Sequence, residues 1–293
     1  MRKKITIADV IIGIILIFCA FSCLMPILNT IAISFSDRTS AALGKVYYWP
    51  VNFTIAAYEA MIHESQFIIS FLNSIYRVLI GVSINMLLSI LMAYPLAKDT
   101  KTFKYKKVYM WIIIVTMMFN GGLVPTFLVI KNLGLMDTIW SLVLPTAVPV
   151  FNVILLMNFF KGVPNSLEEA AEVDGANPMQ ILWKIFVPIS KPALATIGLF
   201  AIVAHWNAFF DGKIYINSPA KLPLQTYIQS LTVDLNPERM ANMTPDQIER
   251  QMAMSSLTFN SAKVIVSMVP ILLIYPFIQK YFVTGIVVGA VKE

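Results

Sequence analysis

The chain has 293 residues, of which 58% are hydrophobic and only 13% charged, with a mean hydropathy of +0.73. A soluble globular domain carries roughly a quarter of its residues as charges, so this composition excludes one and makes lipid the solvent for most of the chain. The net charge of +6 is a topology signal rather than a nucleic-acid footprint, because the lysines and arginines flank apolar runs.

Apolar runs long enough to cross a hydrocarbon core, about 20 residues each, lie at 10–34, 71–97, 108–130, 139–160, 193–210 and 264–282. They predict an all-α integral membrane protein of six transmembrane helices, a single membrane domain over residues 1–293 with both termini on one side. The bias of Lys and Arg sets the orientation. Arg2, Lys3 and Lys4, then Lys98, Lys101, Lys104, Lys106 and Lys107, then Lys161, Lys184 and Lys191, and finally Lys280 and Lys292 fall on the side of the termini. The short loops opposite hold Arg38, Lys45 and Lys131. The termini are therefore expected in the cytoplasm, with the chain in the cytoplasmic membrane.

The first span exceeds the 7 to 15 residues of a signal-peptide core and is read as a retained helix. Its Cys19 and Cys23, one helical turn apart, are read as packing residues without a redox role. The outer segment that follows carries Tyr47, Tyr48, Trp49 and Pro50, either an interfacial aromatic belt or a partner contact. Pro26, Pro95, Pro125, Pro145, Pro149, Pro270 and Pro276 fall within or at the edge of spans, which predicts bent helices whose freed backbone groups are satisfied by neighbours. A second, longer outer loop covers 211–263. There Thr244, Pro245 and Gln247 predict an exposed helix over 245–257.

Between the fourth and fifth spans the loop 161–191 contains a polar, helix-forming island at 166–188. Ser166 and Glu169 have the spacing of a capping box, which predicts a helix from Leu167. Gly175 suits the left-handed residue that closes it. Asn177, Pro178 and Gln180 then supply the cap, first-turn proline and reciprocal acceptor of a second helix, expected to reach about Phe186 and stop near Pro188. Glu168, Glu169 and Glu172 make the first helix acidic, whereas helices that lie on headgroups favour Lys and Arg. Ala170 and Ala171 keep its surface low enough for another protein's backbone to approach. In the second helix Met179, Ile181, Leu182, Ile185 and Phe186 offer an apolar face to the ends of the membrane helices.

Glu169, Ala170 and Ala171, then Gly175, Ile185, Val187 and Pro188 at their spacing, resemble the EAA signature of ABC importer permeases, with Val187 where that pattern has Leu. Trp49, Pro50, Phe53, Thr54 and Tyr58 are similar to the outer loop of carbohydrate-uptake permeases of the maltose-transporter type. The run 119–125, Leu133, Gly134, Leu135, Trp140 and the tail 279–293 resemble the branch that imports oligosaccharides released from polysaccharides. The resemblance implies the type I importer permease fold, and a coupling helix seated in a cleft of an ATP-binding subunit, carried here by Glu168, Glu169, Ala170, Ala171, Asp174, Gly175, Ile185 and Pro188. It also implies a second homologous permease, two ATP-binding subunits and an extracellular sugar-binding protein, with ATP and Mg bound by the ATPase partners and no cofactor or metal in this chain.

Polar side chains in lipid-crossing segments are functional candidates, because burying them unpaired is costly. Asn73, Arg77, Asn85, Asn120, Asn152, Asn158, His205, Asn207 and Asp211 qualify, and Trp206 beside them offers a stacking face for a sugar. From these the substrate path is assigned to Asn73, Arg77, Asn120, Asn152, His205, Trp206 and Asn207, against the competing reading that each bonds across helices to hold the bundle. Arg77, in the outer half of its span, has the reach to snorkel to the outer interface. The sequence contains neither a phosphate-binding loop nor an HExxH zinc motif, so it is read as a permease and not an enzyme, powered by a partner. The alternative is an ion-coupled secondary transporter of a small polar solute. That class uses acidic residues inside the membrane, and the spans offer only Asp211 at an edge.

Overall fold

The computed structural model describes the backbone of residues 7–232 and 257–290 and the side chains of residues 7–230 and 257–276. Every regular element among them is helical. They divide into two units, 7–68 with 228–232 and 257–270, and 69–227 with 271–290.

The first unit contains α1 (Ile7–Ser34), α2 (Arg38–Ala42), α3 (Ala56–His63) and the start of α4 (Ser65–Ala97). Isoleucines, leucines and phenylalanines cover α1 and stay exposed along most of its length, as a lipid-facing helix requires. Beyond α1 the chain folds onto itself. The Asp37 carboxylate caps α2 by accepting from the Ser40 N–H at 2.9 Å, and it also accepts from Asn52 Nδ2 at 3.0 Å; these bonds hold its carboxyl below the usual carboxylate range. Phe35 stacks against Phe53 and Tyr58, and the Tyr58 hydroxyl meets Ser34 Oγ at 2.8 Å. Trp49 is 83% exposed.

The second unit holds the rest of α4, then α5 (Lys106–Met118), α6 (Leu123–Asn132), α7 (Ile139–Val143), α8 (Val150–Phe160), α9 (Asn165–Val173), α10 (Pro178–Ile181), α11 (Val187–Ile189), α12 (Lys191–Asn207) and α13 (Phe210–Tyr215). α14 (Leu224–Thr232) and α15 (Leu257–Ala290) each run from one unit into the other. Ala93, Val153, Leu156, Phe160, Leu182 and Ile197 lie at the centre of the second unit's core. In lipid the hydrophobic effect does not drive helices together, so this core is held by dispersion and close packing.

Three helices, α1, α4 and the start of α15, are long and apolar enough to span, and there are up to six spans if each of three bent pairs counts as one. The expected continuous span over 108–130 does not form, because α5 and α6 meet at 112°. Gly122 at φ +90 takes a conformation open to glycine, and Asn120 Oδ1 accepts the Gly122 N–H at 2.9 Å, closing a turn at the break. The 139–160 span bends by 47° between Thr146 and Val150, where Pro145 and Pro149 remove backbone donors. The loop after the fifth span is structured where it is described, with α13, a short 3-10 turn at Pro219–Lys221 and α14. The helix expected over 245–257 falls outside the described residues except for Leu257, which opens α15.

Candidate functional site

Ser70, Ser74, Arg77, Gly81, Asn85 and Ser89 recur every three or four residues along α4 and are all buried. That spacing puts them on one helical face. Arg77, 1% exposed, turns inward rather than snorkelling. Its two terminal nitrogens bond both carboxylate oxygens of Asp211, with Nη1 3.1 Å from Oδ1. They also reach the carbonyls of Ala208 and Leu142, each at 3.4 Å. Asp211 further accepts the Gly212 N–H at 2.8 Å. An arginine in the membrane is thereby neutralised by α13 and tied to α7 through the Leu142 carbonyl.

Two turns further along α4, Asn85 Nδ2 donates to the carbonyls of Thr146 and Ala147 at 2.9 and 3.0 Å. Those bonds orient its amide, so Oδ1 faces His205 and Nε2 of the imidazole, 3.1 Å away, is the donor. Gly81 makes room for the ring, since a Cβ there would lie 2.4 Å from His205 Nε2. Asn152, buried in α8, donates to the Ile197 carbonyl at 3.4 Å. Arg77, Asn85, Thr146, Asn152, His205 and Asp211 line a cavity of about 460 Å³ with Phe200 on its wall.

The structure thus brings together Arg77, Asn152 and His205 of the expected path and completes the group with Asn85 and Asp211. The other expected path residues lie elsewhere. Asn73 donates to the Ala220 and Leu222 carbonyls at 2.8 and 3.2 Å, anchoring the segment before α14. Asn120 forms the turn between α5 and α6. Trp206 is buried edge-on to Phe71 at 5.8 Å, and Asn207 is exposed at the end of α12.

A second cluster, centred on Asp137, has no local signature in the sequence. Asp137 sits at φ +57 and accepts from Asn217 N–H (3.0 Å), Ser218 N–H (2.9 Å), Ser218 Oγ (2.6 Å) and Lys221 Nζ (2.8 Å). These donors, Lys221 first, hold its carboxyl well below the usual carboxylate range. Asp137 clasps the α6–α7 connection to the segment after α13. A single aspartate in a short loop carries no pattern that would have exposed this.

The island is two helices about a glycine, as expected, with two differences. α9 begins at Asn165, with Pro164 at the cap position and no side-chain cap, so Ser166 is inside the helix rather than capping it. Its end closes on Gly175 at φ +79, with the Gly175 N–H bonded to the Glu172 carbonyl (3.0 Å) and the Ala176 N–H to that of Ala171 (2.9 Å). Both bonds belong to the Schellman closure. Asn177 and Gln180 form the reciprocal capping box over Pro178, each bond 2.9 Å. The second difference concerns the approach to Pro188: the helix passes Phe186 and ends at Ile189, one residue beyond the proline. Leu182–Phe186 widens into a π turn ahead of it, accommodating the ring and the missing donor, and α12 follows after a bend of 84°.

None of the nine residues of α9 is buried, and Val173 is 87% exposed, whereas Ile181, Leu182 and Phe186 are sunk in the core. Ile185 packs partly against that core and Pro188 is exposed. Glu168 is ion-paired to Lys98, while Glu169, Ala170 and Asp174 are exposed.

Residues 85–288 match the family described as binding-protein-dependent transport system inner membrane component. The chain is 37% identical over 289 residues to the polygalacturonan/rhamnogalacturonan transport system permease protein YtcP of Bacillus subtilis, covering 96% of each. It is also 37% identical to protein LplC of the same organism over 92% of this chain and 89% of that one. A chain from the crystal structure of a bacterial ABC transporter involved in the import of the acidic polysaccharide alginate superposes with a TM-score of 0.84 at 33% identity, over 96% of this chain and all of that one. The chain belongs to the family of binding-protein-dependent transport system inner membrane components: it is a membrane-embedded permease subunit, not an enzyme, of systems that include ATP-binding subunits and a substrate-binding protein.

Proposed function

We propose that this chain is one of two homologous permeases in an ATP-driven importer, moving an oligosaccharide released from a polysaccharide through the cytoplasmic membrane by alternating access. Uronic-acid oligomers are the first substrates to test, given the names of its relatives. Both termini and the 161–191 loop face the cytoplasm, and 211–263 faces outward toward the sugar-binding protein. Two ATP-binding subunits supply the energy and hold ATP and Mg; this chain contributes no cofactor site.

The observation that carries this reading is α9. A nine-residue helix with no buried residue, closed at Gly175 and continued by a capped helix rooted in the core, is a handle built for another protein. Glu169, Ala170, Asp174 and Gly175 are its exposed contact residues, Ala171 turns partly against the core, and Ile185 and Pro188 lie on the stretch that joins it to the bundle. Glu168 is its attachment to this chain. The cavity beside Arg77, Asn152 and His205 is the candidate substrate-path element, with Asn85 and Asp211 holding its walls.

Asp211, the acidic group that an ion-coupled transporter would need, is engaged by Arg77. The test is uptake of labelled oligogalacturonates by proteoliposomes containing both permeases, the ATP-binding subunits and the binding protein. The reading requires uptake that depends on ATP and on the binding protein. Uptake that proceeds without ATP and follows a proton or sodium gradient would establish the secondary-transporter reading instead.

A further inference from the structure

Lys98 is the first residue beyond α4, and its ammonium is held from several sides. It pairs with Glu168 of α9 and lies over the rings of Tyr94 and Phe186, 4.2 and 4.5 Å from their centroids. Tyr94 belongs to the last turns of α4 and Phe186 to the π turn, and the two rings meet edge-on at 5.1 Å. Phe186 is in turn edge-on to Phe160 of α8 at 5.4 Å. From α5, Lys106 Nζ donates to the Lys98 carbonyl, fixing the backbone that carries the ammonium.

Electrostatics favours both charges where they stand. Lys98 sits at the C-terminal, partially negative end of α4, and Glu168 in the first turn of α9, whose N-terminal end is partially positive. The Lys98 and Glu168 side chains are only 12% and 18% exposed, so salt and water weaken the pair less than a surface pair, and the aromatic faces add cation–π attraction. α9 has no buried residue, and among its apolar side chains Ala171 is the one packed partly against the core, so this charge pair is its strongest polar attachment to α4.

We propose that Lys98 is a positioning residue: its ion pair with Glu168, seated between Tyr94 and Phe186, carries displacement of α9 into α4, the helix that bears Arg77 and Asn85. The inference rests on the reading of α9 as the element that the ATP-binding partner moves. An intact pair makes α4 follow α9. With the pair broken, α9 remains joined to the bundle through α10 and the π turn, and α4 loses its direct link.

The test uses the complete importer in nanodiscs, with Cys19→Ser and Cys23→Ser and the reporter Ala204→Cys on the wall of the cavity beside His205. The rate of its modification by a water-soluble maleimide is read with and without ATP and vanadate. Lys98→Met and Glu168→Gln each reduce the nucleotide-driven change in rate by roughly 2- to 30-fold, the span of single-residue coupling effects, while the ATP-binding subunits still co-purify. Lys98→Arg, which keeps the charge, the partner and the ring contacts, retains the response that Lys98→Met loses. A full nucleotide response in Lys98→Met, or a loss in Lys98→Arg as deep as that in Lys98→Met, overturns the proposal. Glu169→Lys separates it from the underlying reading. A full response there removes α9 as the coupling element, whereas loss there with a full response in Lys98→Met removes the Lys98 link alone.

Discussion

Arg77 of α4 holds Asp211 of α13 by both carboxylate oxygens, and the arginine side chain is 2% exposed against 24% for the aspartate. The guanidinium thus supplies the compensating charge from the drier side. Among the described residues its buried Nε has no hydrogen-bond partner, so there the carboxylate and the Ala208 and Leu142 carbonyls carry the bonds of the guanidinium. Taking either charge away strands the other.

Arg77→Met is therefore expected to destabilise the folded protein by about 3 kcal/mol, the scale for breaking a buried pair from one side. The double variant Arg77→Met with Asp211→Asn should cost less than the sum of the single ones. Thermal unfolding in detergent across the four-member cycle measures this, and additive costs would show that the pair is not coupled.

Gly81 lies against His205, and a methyl group there would come within 2.7 Å of three ring atoms. Gly81→Ala should displace the imidazole, break its bond to Asn85 and cost about 1–3 kcal/mol, as overpacking does. Adding His205→Ala should recover part of the loss by vacating the contact. Melting temperatures of the two variants decide it, since a double variant less stable than Gly81→Ala would place the clash elsewhere.

Asp137 gives a pH dependence with a defined sign. Its carboxyl is depressed in the folded state, chiefly by Lys221 and Ser218, so the clasp contributes its stability at and above the ordinary carboxylate pKa of about 3.9. That contribution is lost as pH falls through the folded value. Between pH 5 and 8 the Asn217 and Ser218 amides should keep constant protection against hydrogen exchange. Asp137→Asn, which removes the ion pair to Lys221, should lower their protection throughout that range. Equal protection in the variant would show that the backbone, not the carboxylate, holds the segment.

Signals in the sequence hold where the chemistry is local. Gly175 and the Asn177–Gln180 box needed a few residues of context, and both form as expected. Ser166 failed as a cap because Pro164 already begins the turn: the Leu167 N–H bonds to the Pro164 carbonyl at 3.1 Å, placing Ser166 inside the helix. Composition located the apolar runs but not the 112° break between α5 and α6, because hydropathy is insensitive to a glycine pair. The Arg77–Asp211 and Lys98–Glu168 pairs join residues 134 and 70 positions apart, and nothing local links them. The buried stripe on α4 is legible in its spacing, which groups Asn85 with Arg77; that Asn73 turns instead to the Ala220 and Leu222 carbonyls is not, because it stands four residues before Arg77 and fits the same spacing.

Gly175 separates backbone strain from partner contact. Its φ is +79 and a Cβ there would meet nothing within 4 Å, so a side chain is penalised by conformation, roughly 1–2 kcal/mol, rather than by a clash within the chain. Asparagine tolerates this conformation better than alanine, and β-branched valine tolerates it least. If the turn matters only for the path of the backbone, uptake by the reconstituted importer should fall in the order Gly, Asn, Ala, Val. If the ATP-binding partner packs against the bare glycine, as the coupling reading holds, Gly175→Asn should be impaired more than Gly175→Ala, since bulk then outweighs strain. The second order is the expected one, with membrane insertion intact and ATP hydrolysis continuing without matching uptake. Wild-type uptake in Gly175→Val would remove Gly175 from the coupling element altogether.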